Sequence, residues 1–564
     1  MKPRLKVQVR ILIAAVVAAC LAACSGGGDT SSPPTITPPT VVKAASITVA
    51  LSDAALGLGE STVASATVRD GSNTVLTGRT ITWSSSDPSV ATVGTDGTVT
   101  ARGLGQTGIV ATVDGIQSNA TLDVAWARAT VNVATRVPAK SASGFLHGIS
   151  VPFWFTDYQF FPLVPDSMIR PLKPQMFRVG ELRYYDRVRT LGARFQLVIS
   201  DVWGYSRSVT ATPSGTYGWP FENWVAYDSI IRSVVRSTRG KQVMFDVWNE
   251  PDPHFYKPTD KGAFWGGTEA QFFETYARTA KIIREELGPD AMIVGPSGAL
   301  YDPAFLKRFA DYCLSAQCEI NALSWHELGE APPVSNVELH LKAARAQYIN
   351  NPAYAALKMR EIHINESVGP LFYRIPAGIL SSLMYLERGG ADLVSRSCAW
   401  DDDATATPKE FSCYNMTLDG LLVPLTGQRT SAWWAYKTYA DGVINRVAST
   451  TSNVQLGVLA TLRGETSGIP EVAVAFRVDA APSPAPTVAP LAITLRGLGA
   501  AGIADGTGKL SYTVDEVPST GKAALAAPVA LLSGTRDVSA GTAAILLPNA
   551  KRDAMYVVRY RASP

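Results

Sequence analysis

Between residues 143 and 441 the chain repeats one unit: a short apolar run of strand character, then an amphipathic stretch of helical period. Eight such runs end near Ile149, Val179, Ser200, Asn249, Val294, Trp325, Asn365 and Ser397. Stretches with apolar residues three and four apart lie between several of them, at 222–240, 268–288, 334–350 and 375–389. Strand and helix alternating in this way build a parallel sheet that closes on itself, so the expected fold class is α/β with a (β/α)8 TIM barrel. Such a barrel carries the C-terminal ends of all its strands to one face, where active sites sit.

Two of the runs end abruptly in a carboxylate: Phe-Asp-Val-Trp-Asn-Glu-Pro-Asp at 245–252 and Glu-Ile-His-Ile-Asn-Glu at 361–366. Glu250 and Glu366 are thereby brought to one barrel face from different strands. A pair of carboxylates so placed suits glycoside hydrolysis, in which one protonates the leaving oxygen and the other attacks carbon or activates water. A separation of about 5 to 5.5 Å is expected if the reaction retains configuration. Asp246 shares strand parity with Glu250 and points into the barrel, where an ion pair must hold it; Asp252 reads as a loop residue.

Trp-Asn-Glu-Pro-Asp followed by a late strand-end Glu resembles the clan A glycoside hydrolases, and most of all family 39, the family of β-xylosidases and α-L-iduronidases. The resemblance covers roughly residues 140–441. It implies that Glu250 is the acid/base at the end of strand four and Glu366 the nucleophile at the end of strand seven. It further implies that Asn249 hydrogen-bonds the sugar 2-hydroxyl and that Arg178, in Met-Phe-Arg-Val-Gly, supports the nucleophile. Read structurally, Asn249 is a turn residue and Arg178 a barrel ion pair. His326 stands where many clan relatives have Tyr, which leaves the partner of Glu366 open. His326 is a candidate to bond the nucleophile or the sugar, His147 reads equally as a donor to a sugar hydroxyl or a satisfied core histidine, and His363 reads as structural. Trp154, Trp203, Trp325 and Trp400 fall at or near strand ends, where aromatic faces could stack on sugar or pack the core. Tyr217 and Trp219 could extend the cleft. No cofactor is required, and a polysaccharide or oligosaccharide is the expected partner.

The flanks differ in character. The first ten residues carry four positive charges, and ILIAAVVAACLAAC follows and stops at Cys24, the pattern of a secretory signal. Leu21-Ala22-Ala23-Cys24 resembles a bacterial lipobox, which implies lipidation of Cys24 and a membrane-anchored protein of the bacterial cell envelope, at the outer membrane or cell surface. A simple cleaved signal is the alternative. The assignment is 1–24 signal, 25–42 a Gly/Ser/Thr/Pro tether, 43–126 an immunoglobulin-like β-sandwich, 140–441 the barrel and 442–564 a C-terminal β-sandwich. Short alternating strands separated by Asp70-Gly71 and Asp96-Gly97 support the first sandwich, and ITWSSSDPSVATVGTDGTVTARGLG resembles the group 2 bacterial immunoglobulin-like domain. That resemblance implies a spacer or adhesive role. Two Gly-x-Gly-x-x-Gly matches, at 103–108 and 497–502, precede strand patterns and lack the helix that dinucleotide binding needs.

Composition narrows the partners. The signal takes four of the 51 Lys and Arg with it, leaving the remainder nearly balanced against 48 Asp and Glu, with no basic runs. Phosphate binding needs clustered cations, so nucleic acid is excluded. Beyond Cys20 and Cys24 the cysteines are Cys313, Cys318, Cys398 and Cys413, an even set that in an exported chain points to two disulfides. Of three connectivities, 313 to 318 and 398 to 413 close short loops. The four lack paired C-x-x-C spacing, so no metal is expected. The readings carried forward are a retaining polysaccharide hydrolase, an exo-acting β-xylosidase, and a non-catalytic carbohydrate-binding adhesin.

Overall fold

The computed structural model describes residues 42–146, 164–203, 219–252, 264–328, 336–369, 372–398 and 417–562, apart from 425, 443–444, 454, 464–468, 477–486, 501–502, 504–506 and 540. The signal, tether and lipobox fall outside them. Among the described residues no helix is long and apolar enough to cross a membrane.

Residues from Ser46 to Ala125 form two facing four-stranded sheets. Along Gly105–Val113 every second residue from Thr107 is buried, the period-two alternation of a sheet with one face in a core. That core gathers Leu56, Val99, Ile109, Leu122 and Val124. Asp114 and Gly115, both with positive φ, close the two-residue hairpin between Val113 and Ile116.

Seven parallel strands follow, at Met176–Val179, Arg194–Val198, Val243–Asp246, Met292–Gly298, Ala322–Glu327, Glu361–Ser367 and Leu393–Arg396, each hydrogen-bonded to the next. They occupy barrel positions two to eight expected from the sequence. Position one is held by Phe145, which bridges in parallel to Phe177 on one side and Arg396 on the other. These two bridges bring the sheet round to near closure. Gly144 permits the approach, because a Cβ there would lie 2.1 Å from the Val394 carbonyl oxygen. A complete eighth strand is not among the described residues, since 147–163 lie outside them. The expected helices are present at Trp224–Ser237, Glu269–Leu287, Asn336–Ala344 and Pro376–Gly389. Asn223 caps the first, and a Thr268/Gln271 capping box opens the second.

Inside the barrel, side chains are layered. Met176, Met244, Met292 and Leu393 plug the N-terminal end with an apolar layer. Two residues further along three of these strands, the parity that returns a side chain to the same face, stand Arg178, Asp246 and Ser395. The C-terminal half is therefore polar.

The C-terminal strands form a single hydrogen-bonded sheet of nine around one core. One of the nine, Ala127–Arg136, comes from before the barrel, between the expected first sandwich at 43–126 and the barrel at 140–441. It pairs antiparallel with Arg446–Thr451 and parallel with Val488–Arg496. Residues 44–564 consequently form one compact unit. Arg128 on the inserted strand bonds Asp53, Glu60 and the Ala55 carbonyl of the first sandwich. On the barrel side, the buried Arg446–Glu387 pair at 2.9 Å, with Tyr439 Oη donating to Glu387 at 2.7 Å, fixes the helix Pro376–Gly389 to the sheet. Removing one member leaves the other buried and uncompensated, so Arg446→Ala is expected to cost about 3–5 kcal/mol. A lowered thermal midpoint, recovered in Arg446→Met/Glu387→Met, checks it.

Cys313 and Cys318 form the expected disulfide, tying the end of helix Pro303–Ala316 to the turn that follows. Cys398 is also disulfide-bonded, and Cys413 lies outside the described residues.

Candidate active site

The fourth strand ends at Asp246, and the chain then turns sharply to present Glu250. Trp248 anchors this turn: it is fully buried, donates its indole N–H to the Phe264 carbonyl at 2.8 Å, and meets Trp265 edge-on at 5.1 Å. Glu250 adopts φ +48° and donates its backbone N–H to the Ser297 carbonyl at 2.9 Å; Ser297 itself has φ +58°. Val368, two residues past Glu366, has φ +62°. Left-handed backbone at residues other than glycine is costly and collects where a site must be held in one geometry.

Glu250, Glu366 and His326 converge, with one ligating atom from each lying within 4.8 Å of the others. His326 Nδ1 lies 2.8 Å from Glu250 Oε1, and Nε2 lies 3.9 Å from Glu366 Oε1. Burial holds this imidazole below its ordinary value, and each of its two ring nitrogens faces one carboxylate. Burial pushes the Glu366 carboxyl above the usual carboxylate range; Glu250 adds to the rise, while His326 and Arg178 oppose it. Two carboxylates this close each disfavour the charged form of the other, so the titration of Glu366 is coupled to its neighbour.

Arg178 is the hub beneath them. Its Nε donates to Asp246 at 2.6 Å, one terminal nitrogen to Glu366 at 3.2 Å and the other to Asn249 Oδ1 at 2.9 Å. One planar guanidinium thus orients three site residues at once. Asp246 is fully buried and also accepts from Ser297, Gln196 and Asn365, the paired structural role its strand parity predicted. Among the described residues Glu250, His326 and Glu366 are also the one convergent set of metal-ligating side chains. The Arg178 cation beside Glu366 works against a metal ion in that position.

The remaining predicted residues divide. Arg178 and Asn249 join the carboxylates, and His326 touches both Glu250 and Glu366. Trp203 and Trp325, expected as stacking surfaces, are corrected to packing residues: they are 3% and 0% exposed, Trp203 edge-on to Tyr227 and Trp325 against Tyr301. Trp219 packs edge-on against Trp265. His363 is structural, bonded to Gln196 and Glu361. Asp252 does lie in a loop but is buried, accepting from the Ala299 N–H at 2.8 Å. His147, Trp154, Tyr217 and Trp400 lie outside the described residues. Sequence reasoning passed over Gln196, Ser297 and Asn365, which complete the network beneath the carboxylates. A polar side chain amid Phe195, Leu197 and Val198 was the available signal for Gln196; Asn365 shares its strand with Glu361, His363 and Glu366 and gave no such contrast.

Residues 43–124 match the family of the bacterial Ig-like domain (group 2). No curated protein sequence matches the chain. Among solved structures, a glucosidase from Croceicoccus marinus aligns over 78% of this chain and 99% of its own, at 13% identity and a TM-score of 0.54. The GH39 enzyme from Xanthomonas axonopodis pv. citri aligns over 77% and 97%, at 15% identity and 0.52. A monomeric β-xylosidase from Caulobacter crescentus CB15 aligns over 78% and 100%, at 13% identity and 0.53. At these identities the likeness is one of fold.

Proposed function

We propose that this chain is a retaining glycoside hydrolase that cleaves a polysaccharide by double displacement, anchored to the bacterial cell envelope through a lipidated Cys24. The observation that carries the reading is the convergence of Glu250 and Glu366 within 4.8 Å, the spacing of a nucleophile and an acid/base rather than of an inverting pair separated by a water. Glu366, beside Arg178, attacks the anomeric carbon. Glu250 protonates the departing oxygen, then removes a proton from the water that releases the sugar. Arg178 holds Asn249 Oδ1, so the amide N–H of Asn249 is turned outward to bond the sugar 2-hydroxyl, a contact that tightens in an oxocarbenium-like transition state. The fold shared with a glucosidase, a GH39 enzyme and a β-xylosidase supports the reading. The last of these also favours exo-acting β-xylosidase activity as a second reading. The adhesin reading has no use for two converging carboxylates, one held by Arg178 and the other by His326.

Sugar release from a panel of xylans and bacterial exopolysaccharides by the soluble form beginning at Ser25 tests the proposal. Release lost in both Glu250→Gln and Glu366→Gln supports it, and release unchanged in either refutes it. Retained glycan binding without release would establish the adhesin. Asn249→Ala is expected to lower kcat on the released-sugar glycoside by about 10²-fold or more, since hydrogen bonds to the 2-hydroxyl supply several kcal/mol. The matching 2-deoxy substrate should show little further loss in that variant.

A further inference from the structure

At the end of the barrel opposite the paired glutamates, against the methionine plug, lies a cavity of about 440 Å³. That volume is typical of small-molecule sites. It is bordered by the N-terminal ends of strands Val243–Asp246 and Met292–Gly298 and by the segments that lead into them, into Arg194–Val198 and into Glu361–Ser367. None of the residues given a role in the proposed mechanism lines it.

Charge sets this cavity apart. Arg189, Arg194, Lys241 and Arg360 border it against one carboxylate, Asp290, although the whole chain carries 51 Lys and Arg against 48 Asp and Glu. Cations gathered in this way repel one another unless an anion answers them. Arg194 is answered, since it donates to Glu361 at 2.9 Å. The other three form no ion pair among the described residues. Arg189 donates to the Ala193 carbonyl and to Gln242 Oε1, both at 3.0 Å, and Lys241 Nζ stands 5.3 Å from the Tyr185 ring centre. Arg360 donates to the Met292 thioether at 3.3 Å, a weak acceptor for a guanidinium. All three residues are exposed, so a solute can reach them.

Helix ends on this side attract cations too. Those of Tyr185–Thr190 and Glu269–Leu287 are already served by Arg170, which donates to the Thr190 carbonyl at 2.9 Å, and by Arg284, which donates to the Gly288 carbonyl at 3.2 Å. The end of Trp224–Ser237 is served by the Ser237 and Thr238 hydroxyls, on the Val234 and Val235 carbonyls. Helix ends therefore leave Arg189, Lys241 and Arg360 unexplained.

The cationic wall is held in place by the protein itself. Gln242 accepts from Arg189 on its side chain and gives its own backbone N–H to Tyr185 Oη at 2.8 Å, while the Lys241 N–H donates to the Thr238 carbonyl at 2.8 Å. Val243, Met244 and Met292 add an apolar lining. A bare inorganic anion has no use for that second surface.

We infer that this cavity binds a phosphate monoester carried on a small organic group. Three unanswered cations call for more than one negative charge, and a phosphate monoester brings about two, with three acceptor oxygens, where a carboxylate brings one. The guanidinium forks of Arg189 and Arg360 match such oxygens pairwise, Lys241 adds a point charge, and the organic group lies on the apolar lining. The site does not depend on the hydrolase reading.

Calorimetric titration with glucose 6-phosphate tests it, on the soluble form beginning at Ser25, which retains the whole compact unit 44–564. Binding is expected in the parent, with Kd raised about 10-fold or more in Arg360→Met/Lys241→Met, the scale of losing charge-assisted hydrogen bonds. Arg360→Gln alone, a single change at an exposed residue, should show part of that loss. The thermal midpoint of the unliganded double variant should equal or exceed the parent's, because like charges are removed. Lys509→Met, on the C-terminal sheet, and Glu366→Gln should bind as the parent does. D-glucose, inorganic phosphate and D-glucuronate lack in turn the charge, the organic group and the second charge, and each should bind about 10-fold or more weakly.

Absence of binding in the parent would overturn the inference, as would a Kd unchanged in both Arg360 variants or raised equally by Lys509→Met. Weakened binding in Glu366→Gln would move the ligand to the active site and overturn it too. Equally tight binding of any of the three comparison compounds has the same consequence. Sugar release from a polymer by a parent that binds no glucose 6-phosphate would leave the hydrolase reading standing and the cavity site refuted. Binding without any release would do the reverse.

Discussion

Replacing Glu366 by Gln is expected to lower kcat by about 10⁴-fold or more, the scale on which loss of an attacking nucleophile acts, while leaving the protein at least as stable at neutral pH. Both halves follow from one carboxylate. As nucleophile, Glu366 forms the bond that the reaction cannot bypass, and an amide oxygen is too weak to replace it. As a buried group its carboxyl lies above the ordinary carboxylate range, so the folded state holds its proton more tightly than the unfolded chain does. A raised carboxyl pKa makes ionisation a cost in the folded state, absent below the unfolded value and growing as pH rises through the folded one. Glu366→Gln removes that cost, and Arg178 retains Asp246 and Asn249 as partners. The thermal midpoint of the variant should therefore exceed that of the parent at pH 7 and approach it at pH 4. A variant less stable at pH 7 than at pH 4, relative to the parent, would show that the Glu366–Arg178 contact outweighs the burial penalty.

Glu250→Gln should behave differently on different substrates. Loss of a general acid costs about 10² to 10⁴-fold, and the loss should be full for a polymer, whose departing oxygen needs the proton. With a nitrophenyl or dinitrophenyl leaving group the proton is dispensable in the first step, so sugar transfer to Glu366 should proceed nearly unimpaired. Release from the glycosyl-enzyme would then be slow for want of a base, giving a burst of phenolate followed by a low steady rate. Added azide, a nucleophile that needs no base, should restore turnover and yield the glycosyl azide with retained configuration. Because His326 Nδ1 contacts Glu250 at 2.8 Å, the acidic and basic limbs of the parent's pH profile should report the three groups together. An equal loss on both leaving groups, without azide rescue, would remove Glu250 from the acid/base role.

The barrel and its carboxylate pair were legible because each rests on local pattern. Four predicted helices appear within a few residues of their expected bounds apart from the C-terminal end of 334–350, where Arg345–Ile349 widens into a looser turn. Strand parity alone placed Asp246 inward and implied its ion pair. The strand Ala127–Arg136 was not legible in the same way: its alternation was visible, but nothing local says that it enters a sheet beside residues hundreds of positions later. Trp203 and Trp325 were misplaced for a related reason, since an aromatic at a strand end serves either a sugar or the core, and the choice depends on what packs opposite.

The central claim is that Glu366 bonds covalently to sugar, and mass spectrometry of the protein treated with an activated 2-deoxy-2-fluoro glycoside of the released sugar tests it most directly. The account predicts a single adduct of one fluoroglycosyl unit, mapped to the peptide that contains Glu366 and absent from Glu366→Gln. An adduct on another residue, or normal turnover of the substrate with none formed, would contradict it.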